Sequence, residues 1–151
     1  MESGWRDYRP PLKRFLNEYM REANKWDDPL LNLNEDRFNT ASRLLWETLG
    51  KGAFRLINAA GDPIDRAVNR ALAEVELTAF SWIEDERNLS SVRETVVHKI
   101  STLCENTAFL DSLQRATGDR KRTHRRLGMF TEALVSAGLT LKETVDHELS
   151  E

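Results

Sequence analysis

Asp65-Arg66-Ala67-Val68-Asn69-Arg70-Ala71-Leu72-Ala73-Glu74-Val75-Glu76-Leu77-Thr78-Ala79-Phe80-Ser81-Trp82-Ile83-Glu84-Asp85 is the stretch that decides the fold. Val68, Ala71, Leu72, Val75, Ala79, Phe80 and Ile83 recur at intervals of three and four, which lines them along one side of a helix. The period-two alternation that marks a strand is nearly absent from the chain. The spacing predicts a helix over about 65–85 with that apolar side turned inward.

Working toward the N-terminus, Pro10-Pro11 suits a helix start, because a proline in the first turn forfeits no intrahelical hydrogen bond. Leu12, Phe15, Leu16, Tyr19 and Met20 follow at helical spacing, and Asp27-Asp28-Pro29 stops that helix. Asn34 is a good N-cap for the next one, with Glu35 and Asp36 at its positive end. Phe38, Ala41, Leu44, Leu45, Thr48 and Leu49 form its inward face, and Gly50 fits its C-terminal cap. A connector carries Phe54, Leu56 and Ile57, and Gly61-Asp62-Pro63 reads as a turn.

Toward the C-terminus, Ser91 and Glu94 have capping-box spacing and open a helix with Val92, Val96, Ile100 and Leu103 on one side. Asn106 to Ala116 reads as a short helix with Phe109, Leu110 and Leu113, broken by Thr117-Gly118-Asp119. The last large helix carries Leu127, Phe130, Leu134 and Ala137 and ends at Gly138. Thr140 and Glu143 repeat the capping-box spacing ahead of a short polar helix. The expected architecture is all-α, a single bundle of six to seven helices whose short linkers make neighbours antiparallel. Residues 1–10 are an N-terminal extension, 11–139 the helical domain, and 140–151 a short C-terminal helix or tail.

At 40% hydrophobic and 31% charged residues, the composition is that of a globular chain and not of a disordered one. No apolar run approaches the roughly 20 residues that span a bilayer, and the N-terminus lacks a signal pattern. The single cysteine, Cys104, can form no internal disulfide and points to a reducing compartment. The expectation is a cytoplasmic protein with no membrane association. Its net charge of −3 gives no global field that would draw in nucleic acid.

Catalytic motifs are largely missing. There is no G-x-S-x-G elbow, glycine-rich phosphate loop, paired-cysteine site or H-E-x-x-H pattern, so neither a metal nor a cofactor is expected. Cys104, beside Leu103, reads as a small buried apolar residue. Glu94 with His98, and Glu143 with His147, stand four apart; two ligands make no metal site, and such pairs are common partners on helix surfaces. Arg93 and His98 form an R-x4-H pattern that resembles the catalytic motif of HEPN-type ribonucleases, in which histidine serves as acid or base and arginine steadies the phosphate. Glu94 departs from that family, which favours Asn, Asp or His after the arginine. The plainer reading is a surface arginine and a partly buried histidine.

The most distinctive cluster is Arg120-Lys121-Arg122-Thr123-His124-Arg125-Arg126. Lys121, Arg122, Arg125 and Arg126 fall on one arc, opposite the Leu127–Phe130–Leu134 face, and form a basic ridge that can contact DNA or RNA phosphates or lie as a solvated face. No aromatic residue interleaves them, so base stacking has no support.

Several segments together carry a family resemblance. Leu12-Lys13-Arg14-Phe15-Leu16-Asn17-Glu18-Tyr19-Met20, the segment Phe38 through Phe54 with Gly50-Lys51-Gly52-Ala53-Phe54-Arg55 after its helix, and Asp65 through Leu72 follow one another in order. Phe109-Leu110-Asp111-Ser112-Leu113, then Thr117-Gly118-Asp119, then Arg126 before Leu127 complete the series. In this order and spacing the chain resembles, over roughly 10–139, the C-terminal helical region of GmrSD-type (ParB-like) bacterial defence nucleases. Asn69, Thr117, Asp119 and Arg126 are the polar positions of the pattern. Structural roles are expected for them: Asn69 bonding backbone near a bend, and Thr117 or Asp119 capping the helix that contains Arg126. The family's nuclease and nucleotide chemistry lies in an N-terminal domain that nothing here matches.

The resemblance implies a non-catalytic interaction or regulatory module that meets a nuclease domain, a partner subunit or a copy of itself. Exposed apolar surface would mark it; Trp5, Trp26, Trp46 and Trp82 are candidates that can equally fill the core. The alternatives are a nucleic-acid-binding module using the ridge and a HEPN-like ribonuclease using Arg93 and His98.

Overall fold

The computed structural model describes residues 11–114 and 119–145. Among them the chain is an all-α bundle of six helices: α1 (Leu12–Ala23), α2 (Asp28–Leu49), α3 (Arg70–Ser81), α4 (Glu86–Leu103), α5 (Thr107–Gln114) and α6 (Arg120–Ser136). A single 3-10 turn, Gly50–Gly52, follows α2. No strand occurs among the described residues, only isolated bridges between Ile57 and Pro63 and between Ile83 and Leu141.

Five helices start on the same device. The side chains of Asp27, Asn69, Asp85, Asn106 and Asp119 accept the backbone N–H of Leu30 (3.1 Å), Leu72 (3.0 Å), Arg87 (2.9 Å), Phe109 (3.1 Å) and Arg122 (3.1 Å). Each such cap satisfies a donor that the helix cannot, at about 1 kcal/mol.

Those caps correct several expected boundaries. Asp27-Asp28-Pro29 both ends α1 and opens α2, since Pro29 sits in the first turn where its missing N–H costs nothing. Asn34 is therefore a turn inside the helix, and its Nδ2 donates to Leu30 O at 2.8 Å. The helix expected over 65–85 is shorter, because Asn69 caps it at Arg70 and Trp82 ends it. Val68 is left exposed outside it. Asp85, not Ser91, opens α4; Ser91 is helix interior, its hydroxyl donating back to Asn88 O at 2.7 Å.

Residues 140–145 are not helical as expected. The N–H of Glu84 donates to Thr140 O (3.1 Å) and that of Lys142 to Trp82 O (2.8 Å), which straps this segment across the end of α3. The remainder of the expected C-terminal helix, including His147, lies outside the described residues, as do Trp5 and Thr117.

The core forms where α6 meets α3, α4 and α5, and where α2 meets α3 and α4. Leu45, Leu72, Val75, Phe80, Val96, Ile100, Phe109, Phe130 and Leu134 are buried there. The Phe109 and Phe130 rings stack at 6.5 Å. Each such side chain withdraws enough apolar surface for roughly 1.5–3 kcal/mol.

The N-terminal arm differs from this body. No residue with a described side chain in α1 or the first half of α2 is buried, and Tyr19 and Trp26 make only a local edge contact at 5.5 Å. Leu31, Phe38 and Leu45 stand seven apart, about two turns each, and so share one side of α2. Leu45 is 1% exposed, whereas Phe38 is 58% and Leu31 44% exposed. A core stripe thus runs out of the body into solvent, and Phe38 is not the inward residue its spacing predicts.

Candidate functional site

The basic ridge is the first candidate. Asp119 caps α6, and Leu127, Phe130 and Leu134 anchor it to the core. The four expected outward cations do not all face out. Arg126 is 1% exposed, and its Nη2 donates to Glu74 Oε2 on α3 at 2.7 Å. The reason is angular: Arg126 precedes Phe130 by four residues, about 40° round the helix, which places it within the buried half even though the centre of the four-cation arc points away. Arg122 is committed as well, its Nη1 donating to Asp111 Oδ2 (2.7 Å) and Asp111 O (2.8 Å) on α5. Lys121, which is exposed, and half-buried Arg125 remain, with no ion pair among the described residues. Burial, helped by the Arg120 charge, holds the His124 ring below the ordinary histidine range.

The second candidate, Arg93 with His98, lies on α4. Five residues separate them, about 140° round the helix, so the two side chains diverge. Both are exposed, so the histidine is not partly buried as its plainer reading expects; Arg93 Nε reaches Thr48 O at 3.4 Å. No group of three or more His, Cys, Asp or Glu among the described residues is placed to hold a metal ion. Cys104 is buried at the end of α4, and that burial pushes its thiol up.

The site that sequence reasoning missed centres on Glu76. Leu72, Glu76 and Phe80 follow at spacing four on the inward side of α3, and Glu76 is fully buried. Its Oε2 accepts the N–H of Phe54 at 2.7 Å; its Oε1 has no hydrogen-bond partner. Burial pushes the carboxyl up to about 8 from an ordinary 4.5, against the downward pull of the Phe54 N–H. Phe54 has φ 64°, a left-handed backbone that costs a non-glycine residue about 1–2 kcal/mol. Its carbonyl accepts the Asn69 N–H at 2.9 Å, while the Asn69 side chain caps α3. The conformation at Phe54 is therefore held from both sides by α3. A carboxylate interrupting an apolar stripe was the signal in the sequence.

From Phe54 the chain makes a tight excursion. Asn58 Oδ1 accepts the N–H groups of Ala60 and Asp62, both at 3.0 Å, and the Ile64 N–H donates to Leu56 O at 2.7 Å. Gly52 lets this loop close on the end of α2: a Cβ there would meet Ile57 Cγ2 at 2.7 Å and Gly61 O at 2.9 Å. Between the end of α2 and the loop lies an open groove of about 670 Å³, lined by Trp46, Gly50, Lys51, Ala53, Phe54, Arg55, Pro63, Ile64, Asp65 and Arg66. Trp46 is 64% exposed there; Trp82, by contrast, is in the core and Trp26 is half-buried.

Among the described residues no helix is long and apolar enough to cross a membrane. No protein-family model, curated protein or solved structure matches the chain.

Proposed function

We propose that the chain is a helical interaction and regulatory module of a bacterial antiviral restriction system, acting in the cytoplasm beside a nuclease domain and carrying no hydrolytic centre itself. One observation carries the reading: the stripe that is core at Leu45 continues through Phe38 and Leu31 to solvent, and Leu16 and Met20 on α1 are exposed as well. Covering four half-exposed side chains of this size is worth about 1 kcal/mol apiece, enough to favour a partner that fits. The sequence resemblance supports the setting; of its segments, Arg126 bonds Glu74, two residues past the Asp65–Leu72 segment. The nucleic-acid reading is left with Lys121 and Arg125, and the ribonuclease reading with two diverging side chains.

The test is co-expression with a nuclease subunit encoded beside the gene. The wild-type chain is expected to co-purify with it, and Leu31→Glu/Phe38→Glu to lose it while keeping its own melting temperature. A wild-type chain that purifies alone, or a complex indifferent to the double substitution, overturns the proposal.

A further inference from the structure

The groove beside Trp46 lies apart from the Leu31–Phe38 stripe and carries an inference that goes beyond the role proposed above. We propose that it is a docking site for an acidic peptide segment bearing a large apolar side chain.

Charge is the first reason. Lys51, Arg55 and Arg66 line the groove against the single carboxylate of Asp65. Elsewhere Arg14, Lys25, Arg43, Arg122 and Arg126 each hold a carboxylate within 3.2 Å, while others, Lys121 and Arg125 among them, stand without one among the described residues. Among the described residues the three groove cations have no such partner. Placing them together in a chain of net charge −3 leaves a local positive field for an anionic ligand to complement.

The second reason is the state of Arg55. Its Nη1 donates to Lys51 O (3.1 Å) and Ala53 O (3.4 Å), and its Nε to Arg66 O (3.4 Å). Backbone carbonyls orient the guanidinium without neutralising it, and among the described residues neither Nη2 donor has a partner. A planar fork held in this way is suited to a carboxylate.

The third reason is the apolar part. Trp46, Ala53, Phe54, Pro63 and Ile64 make up half of the lining, and Ile64 is 61% exposed. An exposed tryptophan beside arginine is the composition of an interface hot spot. The volume lies within the roughly 300–1,000 Å³ usual for binding clefts, room for one large side chain with flanking carboxylates. A nucleic-acid strand fits less well, because three cations neutralise few phosphates, Asp65 sits in the wall, and the net negative chain repels a long polyanion.

The test uses the full chain and fluorescence anisotropy with four labelled probes. These are a hexapeptide alternating Glu and Leu, the same peptide with Gln for Glu, the same with Ser for Leu, and an oligothymidylate. The Glu–Leu peptide is expected to bind saturably, and each of the other three at least about tenfold more weakly. Lys51→Glu/Arg66→Glu changes two exposed side chains, so its circular dichroism melt should match wild type while peptide affinity falls at least about tenfold. Leu31→Glu/Phe38→Glu should leave peptide affinity unchanged, which separates failure of this site from failure of the arm. No saturable binding, equal binding of the Gln or Ser peptide, tighter binding of the oligonucleotide, or indifference to Lys51→Glu/Arg66→Glu each overturns the assignment.

Discussion

Replacing Glu76 with Gln isolates the buried carboxyl. In the folded chain this group titrates at about 8 and ordinarily at 4.5, so between those values the folded state holds a proton that the unfolded state has released. Stability falls with rising pH wherever the native state binds more protons, so the contribution of Glu76 is intact below about 4.5 and lost as pH rises through about 8. That gap, at about 1.4 kcal/mol per pH unit, amounts to roughly 5 kcal/mol, a large share of the stability of a small domain. Glu76→Gln keeps an oxygen to accept the Phe54 N–H and removes the titration. Urea unfolding followed by circular dichroism, at constant ionic strength across this range, should show the wild type losing several kcal/mol relative to the variant. The wild type should be the more stable at the acid end and the less stable at the alkaline end. Taking the difference between the two proteins cancels every other titrating group, His124 included. Parallel pH profiles, or a wild type that gains on the variant as pH rises, would refute the assignment of a buried neutral acid at the α3–Phe54 junction.

Other substitutions probe the same framework. Because φ at Phe54 is 64°, Phe54→Gly should be more stable than Phe54→Ala by about 1 kcal/mol in urea titration, the reverse of the usual order in ordinary backbone. Gly52→Ala should cost about 2–3 kcal/mol, since its Cβ would press on the Gly61 carbonyl as well as on Ile57. Arg126→Ala should cost about 3 kcal/mol, mainly through the cavity left between α6 and α3, because Glu74 is half-exposed and can return to water. Neither labelled RNA nor DNA should be cleaved or held in a salt-sensitive way. Cleavage abolished by His98→Ala, or retention abolished by Lys121→Glu/Arg125→Glu, would reinstate the corresponding alternative.

The helical content was legible because the inward faces keep their period through Leu72–Phe80, Val96–Leu103 and Leu127–Leu134. What periodicity cannot give is where a helix begins. Asn34 and Ser91 have the right chemistry for caps, but Asp27 and Asp85 lie earlier and win the first free N–H groups. Periodicity also cannot tell a covered stripe from an uncovered one: Phe38 and Leu45 are equivalent along α2, and only the packing of α3 and α4 decides which is buried. Arg126 was misplaced by averaging four cations into one direction when its own position beside Phe130 pointed inward. Glu76 and the groove were missed for another reason. The carboxylate of Glu76 does interrupt an apolar stripe, but its partner and the groove both depend on the chain returning from Phe54 to Asn69, a contact that no local pattern encodes.

Hydrogen exchange tests the central claim most directly, measured on the chain alone and in complex with its co-purified nuclease subunit. If the Leu31–Phe38 stripe is the docking face, amides in the first half of α2 should slow by at least about tenfold on complex formation, while those of α6, already protected by the core, stay as they are. Unchanged exchange across residues 28–40 in a complex that nonetheless forms would contradict the account.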